Sequence, residues 1–250
     1  MKHALVIAAC AVLLLSGCKG AKSKPEWGYA GDGGPAFWGD LDPDFALAQE
    51  GTRQSPIDIE VNETVFTLAD PPAVTYGPTA ATIVNTGRAV QVDCGPASTL
   101  TVDGRAYALE QFHFHAPSEH TIDGRHAPAE LHLVHRDAES RLAVLAVLIE
   151  EGAEHPLLGE LWESAPAERG AARPGAEARV DASQLLPASL GSFRYSGSLT
   201  TPPCTEGVAW IVLREPIRAS AAEIAALRRV HDGNNRPTQP LNGRTVTASD

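Results

Sequence analysis

The sequence predicts a mainly β fold of the α+β kind, carried by a single domain with a few short helices. Three observations predict it. Two Asp-Gly dipeptides sit between short alternating segments, two runs are almost continuously apolar, and only one stretch carries a full set of helix signals.

Taken in order, the chain begins with export signals rather than fold. Lys2 supplies a charged start and residues 4–15 form an apolar run, too short for the ~18 residues of a spanning helix. The run ends in Leu15-Ser16-Gly17-Cys18, which resembles the lipobox of bacterial lipoproteins. That resemblance implies a signal peptide over residues 1–17, an acylated Cys18 at the mature N-terminus and attachment to membrane lipid. With Lys19 next, the aspartate associated with inner-membrane retention is absent, so the expected location is the outer membrane, facing the periplasm, or the cell surface. Residues 18–26 read as a lipidated tether and the folded domain as 27–250.

Within that domain, residues 99–102 and 105–109 flank Asp103-Gly104, and residues 119–122 precede Asp123-Gly124. Both dipeptides suit the type I′ turns that close antiparallel hairpins. Residues 142–149 and 208–213 are nearly all apolar, as strands buried on both faces must be. A short helix is expected around residues 155–162. A second starts at the capping-box pair Ser220 and Glu223, continues through Ile224, Leu227 and His231 at helical spacing, and meets a stop at Gly233.

Composition narrows the function. With 43% hydrophobic and 20% charged residues the chain can bury a sizeable core. Its net charge of -11 would repel a phosphate backbone, so no nucleic-acid partner is expected. Whether the chain forms a homodimer is left open. Cys10 lies in the segment expected to be removed, which leaves Cys94 and Cys204 as the thiols an exported domain could pair; nothing in their spacing shows that they meet.

The strongest chemical signal is Gln111-Phe112-His113-Phe114-His115. Strand alternation puts Gln111, His113 and His115 on one face and both phenylalanines on the other. In Glu130-Leu131-His132-Leu133-Val134-His135 the same alternation groups Glu130, His132 and Val134. If the two strands are neighbours, three imidazoles converge, and three nitrogen ligands with one open position suit a catalytic zinc. Gln111 and Glu130 each stand two residues from a ligand candidate, placed to accept its far ring N–H. His120 and His135 lack such company and read as buried structural histidines.

These runs, together with Gly197-Ser198-Leu199-Thr200-Thr201-Pro202-Pro203, resemble the α-carbonic anhydrase family, for which three histidines and an open fourth position are the standing example of catalytic zinc. So do Trp27-Gly28-Tyr29, Gln54-Ser55-Pro56-Ile57-Asp58, Pro117-Ser118-Glu119-His120, Trp210-Ile211-Val212 and Gln239-Pro240-Leu241, in the family's order. The resemblance implies a large twisted, mainly antiparallel central sheet with peripheral short helices, and cis prolines at Pro56 and Pro203. It implies an enzyme that interconverts carbon dioxide and bicarbonate by attack of zinc-bound hydroxide.

By the same resemblance His113, His115 and His132 hold Zn2+, Gln111 and Glu130 orient the first and third, and the carbonyl of Gly243 orients the second. Thr200 and Glu119 form the catalytic pair. Val134, Val144, Leu199, Thr201, Val208 and Trp210 form the substrate pocket, and Tyr29, Asn85, Arg88 and Gln91 the proton-transfer region. Family modules that lose activity lose zinc histidines, and all three stand here.

Two departures are visible. Arg88 occupies the position where faster members carry a proton-ferrying histidine, and a guanidinium cannot cycle a proton near pH 7, so kcat is expected to be limited by proton transfer. The partner position for a bridge to Cys204 holds Ala48.

Overall fold

The computed structural model describes residues 26–95 and 97–250; the expected signal segment, Cys18 and all of the tether but Glu26 lie outside them. Both Asp-Gly turns form as their chemistry dictates. Asp103 and Gly104 take φ of 50° and 74°, and Asp123 and Gly124 take 47° and 75°, the doubly left-handed pair that matches the twist of a tight hairpin. The first turn joins β3 (Thr99–Val102) to β4 (Arg105–His115). Around the second the hairpin is short, Thr121–Ile122 pairing antiparallel with Arg125–His126. The backbone N–H groups of Glu119 and His120 are drawn instead to Glu130 Oε2, at 2.7 and 2.8 Å.

Asp58–Ile59 joins that short hairpin in a three-stranded sheet, and the remaining strands extend a 13-stranded one. β1 (Thr79–Asn85) and β2 (Val90–Cys94) form a hairpin that pairs with β4. β5 (Ala129–Arg136) lies antiparallel between β4 and β6 (Leu142–Glu151). β7 (Ser192–Ser198) and β8 (Glu206–Leu213) follow, β8 running antiparallel to β7 but parallel to β6. The two apolar runs of the sequence, β6 and β8, are therefore adjacent at the centre and covered on both faces, as their composition requires.

One face of the sheet buries Phe112, Phe114, Leu131, Leu133 and Leu145 under α1 (Pro156–Glu163) and α2 (Ala221–Val230). Phe112 and Phe114 are wholly buried, which contributes about 1.5–3 kcal/mol each. The expected capping box is present at Ser220 and Glu223, and Glu223 also accepts the backbone N–H of His155, the N-cap of α1. α2 ends at Val230, one residue short of the spacing, because His231 is already extended. Gly233, at φ 66°, then turns the chain under the sheet and donates to Ala116 O. The peptide bonds before Pro56, Pro117 and Pro203 are cis.

Candidate metal centre

Register delivers three imidazoles to one place. His113 of β4 is directly opposite His132 of β5, and His115 is opposite Glu130. Because neighbours directly opposite share a face, His113, His115 and His132 all point away from the helices. Their ring centroids are 4.7 to 5.3 Å apart, and one ring nitrogen from each lies within 4.8 Å of the others. His115 and His132 are 1% exposed, whereas His113 is half-buried. The opening is therefore on the β2 side, where Gln91 stands opposite His113.

Each ring is turned by a hydrogen bond at its other nitrogen. His113 Nδ1 donates to Gln111 Oε1 at 2.8 Å, His115 Nδ1 to Asn234 O at 2.7 Å and His132 Nε2 to Glu130 Oε1 at 2.9 Å. The nitrogens left over are His113 Nε2, His115 Nε2 and His132 Nδ1, and His115 Nε2 is buried without a partner. Burial first, then the neighbouring imidazoles, pushes His113 well below the usual histidine range, and burial lowers His115 as well. Burial opposes charge on His132 too, but Glu130 outweighs it and raises that ring. Glu130, wholly buried, would be driven upward by burial, yet His120 and His132 hold it well below the ordinary carboxylate range.

The second oxygen-bearing group is Glu119, also wholly buried. Its Oε1 accepts the backbone N–H of Arg236 at 2.8 Å. Its Oε2 accepts no hydrogen bond and leans toward His115 Nε2 at 3.5 Å and His132 Nδ1 at 3.9 Å. Thr200 is buried, but no hydrogen bond joins it to Glu119, whose Oε2 is left without a donor, so the expected pair is not closed.

Residues 33–250 match the family model described as eukaryotic-type carbonic anhydrase. The chain belongs to the α-carbonic anhydrase family. It is 44% identical to a carbonic anhydrase of Pectobacterium carotovorum over 98% of this chain and 99% of the relative. A carbonic anhydrase of Nostoc is 45% identical over 88% of this chain and 85% of its own length. Among solved structures, the α-carbonic anhydrase of Thermovibrio ammonificans, in complex with the inhibitor sulfanilamide, superposes with a TM-score of 0.87 at 45% identity, covering 90% of this chain and all of the other. The chain is thus a carbonic anhydrase with the family's twisted, mostly β fold.

The apolar residues that the family pattern assigns to a substrate wall lie together in the carbonic anhydrase fold. Val134, Val144 and Trp210 form one row across β5, β6 and β8, and pack in one cluster with Val208 and Leu199. Trp210 stands edge-on to His132 at 4.9 Å. Thr201 is half-buried beside Thr200. Tyr29 stands edge-on to Trp38 at 5.8 Å, and burial pushes its phenol upward.

Two assignments are corrected. The carbonyl on His115 belongs to Asn234; Gly243 sits in an exposed left-handed turn at φ 75°, nine residues further on. Asn85 does not face the centre. It pairs with Val90, not Gln91, so strand parity turns it to the helix-covered face, where it bonds Pro166 O and His231. His120 also has company: its Nδ1 donates to Glu130 Oε1 at 2.6 Å, and Tyr195 Oη bridges its Nε2 to Ser55 Oγ. Cys94 and Cys204 are both free, Cys204 packing with Ala48 and Trp38.

Asn234 and Arg236 are the functional residues that the sequence reading missed. The Asn234 side chain donates to Arg88 O and Phe114 O and accepts from Ala116 N. The Arg236 guanidinium, 1% exposed, donates to Gln54 Oε1, Ser55 O and Ala48 O. The one available signal was an Asn-Asn-Arg run following a helix stop.

Proposed function

We propose that this chain hydrates carbon dioxide reversibly to bicarbonate and a proton at a single Zn2+ held by His113, His115 and His132. The observation that carries the reading is the set of three leftover ring nitrogens, each fixed by a hydrogen bond at the opposite nitrogen and one of them buried without a partner. Three neutral nitrogen donors are the set that zinc takes when one position must stay open.

When bound, zinc supplies the Lewis acidity that lets water act as a nucleophile near neutral pH. The protein's own groups do the rest. Glu119 Oε2 is an acceptor in want of a donor, and the Thr200 hydroxyl is the donor assigned to it. Having donated, the Thr200 oxygen can only accept, and so admits beside it an oxygen that still bears a proton. The wall of Val134, Val144, Leu199, Val208 and Trp210 holds an apolar, linear substrate without competing for its oxygens, and Thr201 borders it. Gln111, Glu130 and the Asn234 carbonyl keep the imidazoles in one tautomer each.

The proton must then leave. Arg88 is lowered by burial and by Arg169, but a guanidinium remains charged at neutral pH and cannot relay it. Exit therefore depends on solvent and buffer, with Tyr29 and Gln91 at the mouth. We assign residues 1–17 as a lipoprotein signal, Cys18 as the acylated residue and 27–250 as the catalytic domain, which places the enzyme on a membrane outside the cytoplasm.

Zinc content and stopped-flow hydration, with and without a chelator, test the centre. One zinc per chain is expected, with activity lost on chelation and in His132→Ala; full activity in a zinc-free protein would sink the assignment. Sulfanilamide should inhibit, as it does the Thermovibrio enzyme. Mass spectrometry of the mature N-terminus tests the anchor, and an unmodified chain starting elsewhere would overturn it.

A further inference from the structure

The Arg88 side chain is engaged away from the histidines. Its Nε and Nη2 donate to Trp27 O at 3.1 and 2.9 Å, and its Cζ lies 3.9 Å over the Trp27 ring. A long side chain keeps one rotamer only where contacts outweigh the freedom it gives up. Here two charge-assisted hydrogen bonds and a stacked indole act on a single residue. The backbone of Arg88 is held from the opposite side, by Asn234 Nδ2 on Arg88 O at 2.9 Å. That same Asn234 presents its carbonyl to His115.

The grip continues on both sides of Trp27. Arg169 bonds Glu26 at 2.8 Å, and its chain lies across Gly87, leaving no room for a Cβ there. Trp27 meets Tyr29 and Trp38 edge-on, at 5.9 and 5.3 Å. Trp38, wholly buried, donates from Nε1 to Gly28 O at 2.9 Å and Gly33 O at 3.0 Å. Tyr29 stands edge-on to Trp38 at 5.8 Å, the Arg236 guanidinium lies 5.6 Å over the Trp38 ring, and the Arg236 backbone N–H donates to Glu119 Oε1 at 2.8 Å, which ties Tyr29 to the Glu119 side; burial pushes its phenol upward.

We infer that Arg88 is a positioning residue: a latch that, through Trp27, holds Tyr29 against the Glu119 side of the metal centre. This deepens the proposed function and rests on Glu119 belonging to the catalytic machinery. It also gives the departure at this position a use. An imidazole cannot close two bonds on one carbonyl oxygen while stacking on the same residue's indole, so the position serves as a latch with arginine or as a ferry with histidine.

The test compares Arg88→Ala and Arg88→Lys with the parent, all as the zinc-loaded mature chain. Hydrogen exchange is followed at backbone amides 28–34 and at the Trp38 indole N–H. Hydration kinetics are followed with and without 4-methylimidazole. Arg88→Ala should raise exchange at these sites at least tenfold. It should also lower kcat/KM several-fold in a way 4-methylimidazole does not restore, with Arg88→Lys intermediate. A group concerned only with proton exit would change kcat alone and be rescued by the buffer. Unchanged exchange overturns the latch; raised exchange with kcat/KM untouched overturns its hold on the centre. Zinc content of the parent, measured on the same samples, reports separately on the metal-centre reading.

Discussion

His120 and His132 share one oxygen: Glu130 Oε1 accepts from His120 Nδ1 at 2.6 Å and from His132 Nε2 at 2.9 Å. A buried carboxylate is tolerable only when its lone pairs are matched, and here Oε2 is matched as well, by the N–H groups of Glu119 and His120. Glu130→Gln keeps the shape but removes the charge that raises His132. Zinc affinity should fall about 10–100-fold, the usual cost of losing such a partner, as read by competition with a chelator. An unchanged affinity would show that the charge is irrelevant to the metal.

The correction at His115 separates two variants. Asn234→Ala removes three side-chain hydrogen bonds that aim the backbone carbonyl, and should weaken zinc binding and cost about 2–4 kcal/mol of stability. Gly243→Asn, in a turn that asparagine tolerates, should alter neither by a measurable amount. The reverse pattern would restore Gly243 to the centre.

At Arg88, histidine supplies an ordinary pKa near ~6.5 but gives up the latch. In dilute buffer Arg88→His should raise kcat relative to kcat/KM, and added 4-methylimidazole should then contribute less than it does to the parent. A parent kcat already independent of buffer would locate the proton route elsewhere.

His135 adds an acid sensitivity of its own, away from the three site histidines. It is wholly buried, its Nε2 lies 2.6 Å from Tyr76 Oη and its Nδ1 has no partner; burial lowers its pKa to about 4. The unfolded chain then binds the extra proton first, so stability is full above ~6.5 and is lost as pH falls toward ~4, by up to ~3 kcal/mol. Denaturant melts at pH 7 and 5 should show a smaller loss in His135→Gln than in the parent. Equal losses would assign the acid limb to other groups.

Much of this was legible in the sequence because local chemistry set it. Asp103-Gly104 and Asp123-Gly124 can hardly be anything but tight turns, Ser220 and Glu223 mark their helix, and strand parity alone put His113, His115 and Gln111 on one face. What stayed hidden is long-range or carried by the main chain. The parallel pairing of β6 with β8 joins Ala143 to Ala209, far apart in the chain, and leaves no local trace. The carbonyl of Asn234 reaches His115 across 119 positions, and every residue type has a carbonyl. Asn85 was a missed inference of a different kind: counted against Val90 and Gln91 across the Gly87 turn, its parity already assigns it to the other face.

The grip on Glu26 and Trp27 also decides where the proposed tether would meet the domain. Trp27 is clamped to Arg88, which leads into β2, the strand beside the half-buried His113, so the described chain starts on the open side of the histidines. From Cys18 to Glu26 the leash spans eight residues, about 28 Å at full stretch, against a body roughly 45 Å across. If Cys18 is acylated as proposed, so short a leash would keep that open side near the lipid surface. The enzyme would meet carbon dioxide as the gas leaves the bilayer, and release bicarbonate into the thin layer of water beneath itself.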